Sequence, residues 1–374
     1  MKKIAIVNRT NLINFGSVLQ VFALQEAIRK LGYQCEVVWE SGTVSKNLDL
    51  RPKKIFSICL KLLRYPQFIL YTYKSWKSVS NLAIGEETKR LFKKFVRENI
   101  KTKNFDTKEF KTLGNSQEFH KFICGSDQIW CSTTLYPDPL MYLRFAPSEK
   151  RVAYAPSIGR SYIPSYNKKV MKKYISDIPI VSIREEEGAV LLKDLIGKAF
   201  PVTLDPTLLF DEAFWCKYIV SENKKDYILC YFLTEPSEEV QKNIVKYADG
   251  KEIIALRSHL SYIDTMYNKI KSPEAGPAEF LGYVNDANFI FTDSYHGMLF
   301  SIIFEKEFLS VEREYGKYDQ STRQKSILSQ LQINEHYNKT GIVENHKIDY
   351  KKVNLILTGL RHDSWSYIEN ALKD

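Results

Sequence analysis

Long apolar runs are missing from this 374-residue sequence. No stretch approaches the roughly 18 uncharged apolar residues that cross a bilayer, so a transmembrane helix is not expected. The opening MKKIAIVNRTN places only four apolar residues before polar ones return, too few for the core of a secretory signal. Cysteine is scarce and never forms a CxxC pair: Cys35, Cys59, Cys124, Cys131, Cys216 and Cys230 are scattered, several inside apolar runs such as FICGS and ILCYF. That pattern predicts reduced, buried thiols and excludes a disulfide framework. His120, Cys124 and Cys131 are neighbours in sequence, but no second pair follows at zinc-site spacing, so no metal is expected. Internal repeats are absent, as is any recognisable nucleic-acid motif. Together these absences predict a cytoplasmic protein.

What is present is an ordinary globular composition, 44% hydrophobic and 26% charged, rich enough in apolar residues to exclude whole-chain disorder. The length suits about two domains. A formal net charge of +10 favours an anionic partner: nucleic acid, an acidic membrane surface or a phosphorylated substrate. Outside one segment the basic residues are interspersed with acids, which argues against nucleic acid.

Strand-like and helix-like patterns alternate. KIAIVN, GSVLQVFALQEAIRKLGY and CEVVWE read as a βαβ unit, with Val18, Val21, Phe22, Gln25, Ile28 and Leu31 at helical spacing and Gly32 as the stop. FHKFIC, RVAYAPS, IPIVSIR and FPVTLD are further strand candidates, and EEEGAVLLKDLIG is a helix. After a charged linker candidate, Ser221 to Asp226, a second series begins: YILCYFL, SEEVQKNIVKYA, KEIIALR, PAEFLGYVNDA, NFIFTD, a helix after His296, and EFLSV. The expected fold is therefore α/β, with two Rossmann-like domains over residues 1–220 and 226–345 facing a cleft, and a helical segment at 349–374 that returns to the first domain. One region, near 51–103, breaks the alternation. From Arg51 to Lys77 it carries Arg51, Lys53, Lys54, Lys61, Arg64, Lys74 and Lys77, many aromatic and apolar residues, and no acid. Two readings stand: a core-covering helical insertion, or a segment lying at an anionic membrane interface.

Ligands of open α/β sheets gather beyond the carboxyl ends of the strands. At that level, Asn14, Phe15 and Gly16 offer an anion or sugar site, or only a helix cap and a turn. Gly125, Ser126, Asp127 and Gln128 follow another strand and offer close approach and polar groups, although Asp127 also suits a cap. Ser157 and Gly159, in APSIGRS, form a similar loop. Arg184 ends an apolar strand, where a guanidinium can grip a carboxylate or phosphate unless Glu185 to Glu187 neutralise it. In TDSYHG, Asp293 or Ser294 caps a helix whose first turn holds Tyr295, His296 and Gly297, at the positive end of the helix dipole. An imidazole there can donate a proton or contact a phosphate; the alternative is a core histidine bonded to a carbonyl.

The ordered set NFGSVLQVFALQEAI, GSDQIW, YAPSIG, SIREEEGA, LDPTLLF and PAEFLGYVNDANFIFTDSYHGMLFSIIF resembles the polysaccharide pyruvyl transferase family across nearly the whole chain. That family looks related to two-domain glycosyltransferases of the GT-B type. The resemblance implies transfer of a pyruvyl group from phosphoenolpyruvate to two hydroxyls of a sugar, giving a cyclic ketal and phosphate, with no metal or other cofactor. It implies His296 as the general acid or phosphate contact and Arg184 as a donor-binding residue, with Asp127 as the base or sugar-orienting group. Many members carry Arg-Leu-His where this chain has Ser294, Tyr295 and His296. The missing positive charge is expected from Arg313, Lys317 or Arg323, with Lys317 or Arg323 preferred. A lipid-linked acceptor at the inner face of a membrane would give the 51–77 segment a purpose. Two rivals remain: a nucleotide-sugar glycosyltransferase of the same architecture, and an inactive sugar-binding homologue that has lost the arginine.

Overall fold

Two series of short apolar strands, each strand followed by a helix, build two separate parallel sheets. The computed structural model describes residues 1–8, 13–40, 44–45, 48–49, 52–66, 84–221, 226–313, 321–344 and 347–373. The first sheet contains β1 (Lys3–Val7), β2 (Gln34–Glu40), β3 (Thr102–Phe105), β4 (Lys121–Cys124), β5 (Arg151–Ala153) and β6 (Ile180–Val181). Their spatial order is β3-β2-β1-β4-β5-β6. The second contains β7 (Tyr227–Tyr231), β8 (Glu252–Leu256), β9 (Ile270–Lys271), β10 (Phe289–Thr292), β11 (Phe308–Val311) and β12 (Tyr337–Asn338), in the order β9-β8-β7-β10-β11-β12. Every pairing in both sheets is parallel. Each sheet thus has the order of a doubly wound Rossmann-like fold, with the chain reversing at its first strand. The central strand β7, YILCY, is buried at every position because helices cover both of its faces.

The helix Phe15–Lys30 starts at Asn14, whose Oδ1 accepts from the Ser17 N–H at 3.0 Å, and stops before Gly32 at φ +86°. It joins the two halves. Phe15 stacks on Phe280 of the second half at 4.6 Å between ring centres, and lies 5.5 Å from Tyr231 and 5.1 Å from Phe92. Phe15 is therefore a core residue, not the acceptor-loop contact its position beside Gly16 implied. The helix Tyr350–Leu372 crosses back to the first half: Arg361 Nε donates to the Leu208 carbonyl at 2.7 Å, and Ser364 Oγ accepts from the Leu204 N–H at 3.0 Å.

Several elements depart from expectation. FPVTLD forms no strand beyond a single bridge between Ile183 and Val202, and IPIVSIR contributes only a two-residue strand besides that bridge. Pro179 and Pro201 bound these runs and have no N–H for a ladder. Residues 102 and 103, at the end of the expected insertion, begin the edge strand β3 paired with β2. Cys35, Cys124 and Cys230 are buried, but Cys59 and Cys216 are exposed on helical surfaces and Cys131 is half-buried. Within the 51–77 segment, residues 52–66 are described and hold the helix Pro52–Arg64; the remainder from 67 onward lies outside the described residues. No described helix is long and apolar enough to cross a membrane.

Candidate active site between the two sheets

Three loops of the first half and one helix end of the second converge on a buried carboxylate. After β4 the backbone turns at Gly125 (φ +108°), where a side chain would bring its Cβ 2.0 Å from the Tyr154 carbonyl oxygen. Only glycine fits so close an approach. Ser126 follows, its N–H donating to Gln20 Oε1 at 3.1 Å and its Oγ to the Ala155 carbonyl at 2.8 Å. Asp127, at φ +70°, directs its carboxylate toward the helix Phe15–Lys30: Oδ2 accepts from Ser17 Oγ at 2.8 Å, while Oδ1 stands 3.7 Å from Arg184 Nη2. Burial would raise the Asp127 pKa, but the charges of His296, Arg184 and Arg323 together with the Ser17 bond hold it below the usual value. Asp127 is thus ionised and able to accept a proton.

Arg184 leaves the end of β6 and is buried. Its Nη1 donates to Asp205 Oδ2 at 2.6 Å and lies 3.4 Å from Ser126 Oγ. Glu185 makes no hydrogen bond to this guanidinium, although its charge favours the cationic form. Glu185 Oε1 is occupied by Ser157 Oγ at 3.0 Å and by the N–H groups of Ile158 and Gly159 at 2.8 and 3.0 Å, so it shapes the loop after β5. Gln128 closes the same loop by donating to the Gly159 carbonyl at 3.4 Å. The residue that matches Arg184 is Asp205, which sequence reasoning left without a role. It sits in the LDPTLLF stretch, and its other oxygen accepts from the Thr207 N–H and Oγ1 at 3.0 and 2.8 Å. An acid just before a proline inside an apolar run was the available signal. Burial would raise the Asp205 pKa, but His296 and Arg184 outweigh it and keep the carboxyl far below the usual range.

His296 reaches this carboxylate from the second half. Ser294 caps the helix Tyr295–Ile303 through its Oγ, which accepts from the Gly297 N–H at 3.2 Å. That places His296 in the first turn, with Nε2 at 3.5 Å from Asp205 Oδ2, an ion-pair distance rather than a good hydrogen bond. On its other side the ring rests against Gly16. Tyr295, also buried, offers its ring to two guanidinium groups, Arg184 at 4.4 Å and Arg323 at 5.5 Å. Burial, then the neighbouring charge of Arg184, pushes the Arg323 pKa down to about 10. The other basic residues of the expected replacement set differ. Arg313 donates from Nε to Asp293 Oδ2 at 3.1 Å and from Nη2 to the Asp293 carbonyl at 3.2 Å, an internal pair rather than a donor contact. Lys317 lies outside the described residues.

Two carboxylates do not satisfy every donor in this cluster. Nε and Nη2 of Arg184, Nε of Arg323 and Nε2 of His296 are buried without hydrogen-bond partners. Leaving such groups unpaired costs about 1–3 kcal/mol each, so their convergence describes a place for an anion. Asp127 separates the cluster from a cavity of about 310 Å³ lined also by Asn8, Ser17, Lys54, Gln128 and Tyr136, whose hydroxyl and amide groups suit a hydroxylated ligand. Among the described residues no group of three histidine, cysteine or acidic side chains is placed to hold a metal ion.

Solved structures similar to the chain include the UDP co-structure of S. aureus MnaA, 13% identical with a TM-score of 0.49 over 99% of this chain and 91% of that one. The UDP-N-acetylglucosamine 2-epimerase of Rickettsia bellii is 11% identical with a TM-score of 0.49, over 98% of each chain. The E. coli heptosyltransferase WaaC with ADP is 12% identical with a TM-score of 0.40, over 96% of this chain and 99% of that one. No curated protein matches the chain in sequence. The polysaccharide pyruvyl transferase family matches it from residue 14 to residue 315. That span takes in Gly16, Asp127, Arg184, Asp205 and His296, the residues that meet between the sheets, and the chain belongs to the polysaccharide pyruvyl transferase family.

Proposed function

We propose that the protein transfers the pyruvyl group of phosphoenolpyruvate to two hydroxyls of one sugar in a surface-polysaccharide precursor, forming a cyclic ketal and releasing phosphate. The observation that carries this reading is the meeting of Arg184 and His296, from opposite sheets, on Asp205 Oδ2 at 2.6 and 3.5 Å, with their remaining buried donors unpaired. Phosphoenolpyruvate is small and carries both a carboxylate and a phosphate. Arg184 and Arg323 supply the guanidinium groups for such a ligand, and Arg323 fills the role of the arginine absent at Ser294.

The chemistry needs one proton donor near the methylene carbon. His296 Nε2 gives that proton, which turns the methylene into a methyl and makes the adjacent carbon electrophilic. A sugar hydroxyl held in the cavity beside Asp127 then adds to that carbon, phosphate leaves, and the second hydroxyl closes the ring. Of the two hydroxyl protons, one replaces the proton given by His296 and the other departs on the phosphate. Asp127 accepts the first while the hydroxyl attacks. Its depressed pKa makes it a weak base, adequate for an alcohol adding to a strongly electrophilic carbon.

The test is phosphate release from phosphoenolpyruvate in the presence of lipid-linked or synthetic galactosides and mannosamine derivatives, with mass spectrometry of the product. A carboxyethylidene group on the sugar is the expected result. Glycosyl transfer from a nucleotide sugar, with phosphoenolpyruvate inert across the panel, would overturn the proposal.

A further inference from the structure

The helix Pro52–Arg64 is amphipathic in the reverse sense to an ordinary surface helix. Its inward side carries a cation: Lys61 Nζ donates to Asn167 Oδ1 at 2.7 Å and lies 5.1 Å from the Tyr166 ring. Tyr65, just past the helix end, meets the same ring at 5.5 Å. Burial pushes the Lys61 pKa down to about 8. The outward side is apolar. Phe56, Leu60 and Leu63, at i, i+4 and i+7, are 66%, 50% and 80% exposed, and Ile55 beside them is 44% exposed. Eleven large apolar side chains stand exposed among the described residues, and four of them fall in this one helix, so the stripe is a local concentration rather than scatter.

Charge indicates what would cover the stripe. The helix contains Lys53, Lys54, Lys61 and Arg64 and no acid, and no acid occurs anywhere from Arg51 to Lys77. An apolar stripe in an acid-free stretch, with Arg64 exposed beside Leu63 at its end, matches an anionic bilayer surface, with rings and leucines among the acyl chains and the cation at the headgroups. A soluble protein partner would not require so complete an exclusion of acids. Position adds a second argument. Lys54 of this helix lines the cavity of about 310 Å³ that reaches Asp127, so whatever the helix rests on lies beside the mouth of the acceptor site.

We infer that the helix Pro52–Arg64 docks the protein on an anionic membrane surface through Phe56, Leu60 and Leu63, and so presents the Asp127 cavity to a sugar carried on a membrane lipid. The acceptor half of this statement rests on the function proposed above; the docking half does not.

The experiment is sedimentation of the full chain with vesicles of phosphatidylcholine alone or mixed with phosphatidylglycerol, for the wild type and for Phe56→Ser/Leu60→Ser/Leu63→Ser. The wild type is expected to pellet at least tenfold more with the anionic vesicles, and less at high salt. The triple variant is expected to lose that binding tenfold or more, to unfold at an unchanged or higher temperature, and to keep its protection by phosphoenolpyruvate. Equal vesicle binding by variant and wild type overturns the proposal. A lowered unfolding temperature in the variant overturns it in favour of a face covered within the chain. A wild-type dimer abolished in the variant overturns it in favour of a second copy. Selective vesicle binding without protection by phosphoenolpyruvate leaves the docking intact and removes the functional reading instead.

Discussion

Gly16 and His296 are in van der Waals contact across the two sheets, and the contact has no room for a side chain: a Cβ at position 16 would stand 2.0 Å from Nδ1 of the imidazole and 2.7 Å from its Cβ. Gly16 belongs to the first helix of one half and His296 to the first turn of a helix in the other, so this pair sets how closely the halves approach around Asp205. Gly16→Ala is expected to displace the ring by an ångström or more. A shift of that size costs about 100-fold in turnover, while overpacking costs about 1–3 kcal/mol of stability. Circular dichroism should be unchanged and phosphate release should fall. Full activity in the alanine variant would show that the ring is not held at its working position by this contact.

Asp205→Asn separates the structural from the chemical role of the buried carboxylate. Removing one partner of a buried pair costs about 3–5 kcal/mol, and Arg184 and His296 both lose the charge they face. The sign with pH follows from the depressed pKa: the Asp205 contribution is fully present above the unfolded carboxylate pKa of about 3.9 and is lost as pH falls below it. Denaturant midpoints of wild type and Asp205→Asn are therefore expected to differ widely at pH 7, with a gap that starts to narrow only below about pH 4 and keeps narrowing as the pH falls further. A difference that stays constant with pH would contradict an ionised, stabilising Asp205.

Arg323 and Arg313 are predicted to separate in kind. Arg323→Met relieves repulsion with Arg184 and is expected to leave the unliganded protein as stable or more stable, yet to weaken phosphoenolpyruvate about tenfold to 100-fold, the worth of a charge-assisted contact. Arg313→Met breaks a pair with Asp293 that is already complete, and is expected to lower stability by about 1.5–3 kcal/mol with donor affinity little changed. Thermal unfolding with and without phosphoenolpyruvate reads both effects. Reversed behaviour would assign the donor to the Asp293 side of the cleft.

Thiol reagents test the burial pattern. Cys59 and Cys216 are exposed and should react within the first minutes in the native protein, whereas burial raises the Cys35, Cys124 and Cys230 thiols and should protect them until unfolding. Cys131 lines the cavity beside Asp127 and is expected to react slowly, and more slowly still when an acceptor sugar is bound.

The parallel sheets were legible because runs such as IAIV and YILCY are apolar throughout, the pattern of strands covered on both faces, and because Gly32 marks a helix end where a positive φ is needed. The positions of Arg184 and His296 were legible for a similar local reason: a cation at the end of an apolar strand and a ring just past a serine cap. What the local pattern did not carry was partnership at a distance. Asp205 stands 21 residues from Arg184 and meets it only because the return helix pins the backbone of residues 204–210, and no periodicity reports that contact. Phe15 misled for the opposite reason. Its neighbour Gly16 does sit at the site's edge, against His296, but its own ring turns into the seam against Phe280.

On the proposed function, a small anion with two charged groups is held where Arg184, Arg323 and His296 leave donors unpaired. Calorimetric titration of phosphoenolpyruvate into wild type and Arg323→Met tests it most directly. Saturable binding to the wild type, binding at least tenfold weaker to the variant, and no heat from a nucleotide sugar in either are expected. Identical phosphoenolpyruvate affinity in the two proteins, or a nucleotide sugar bound where phosphoenolpyruvate is not, would contradict it.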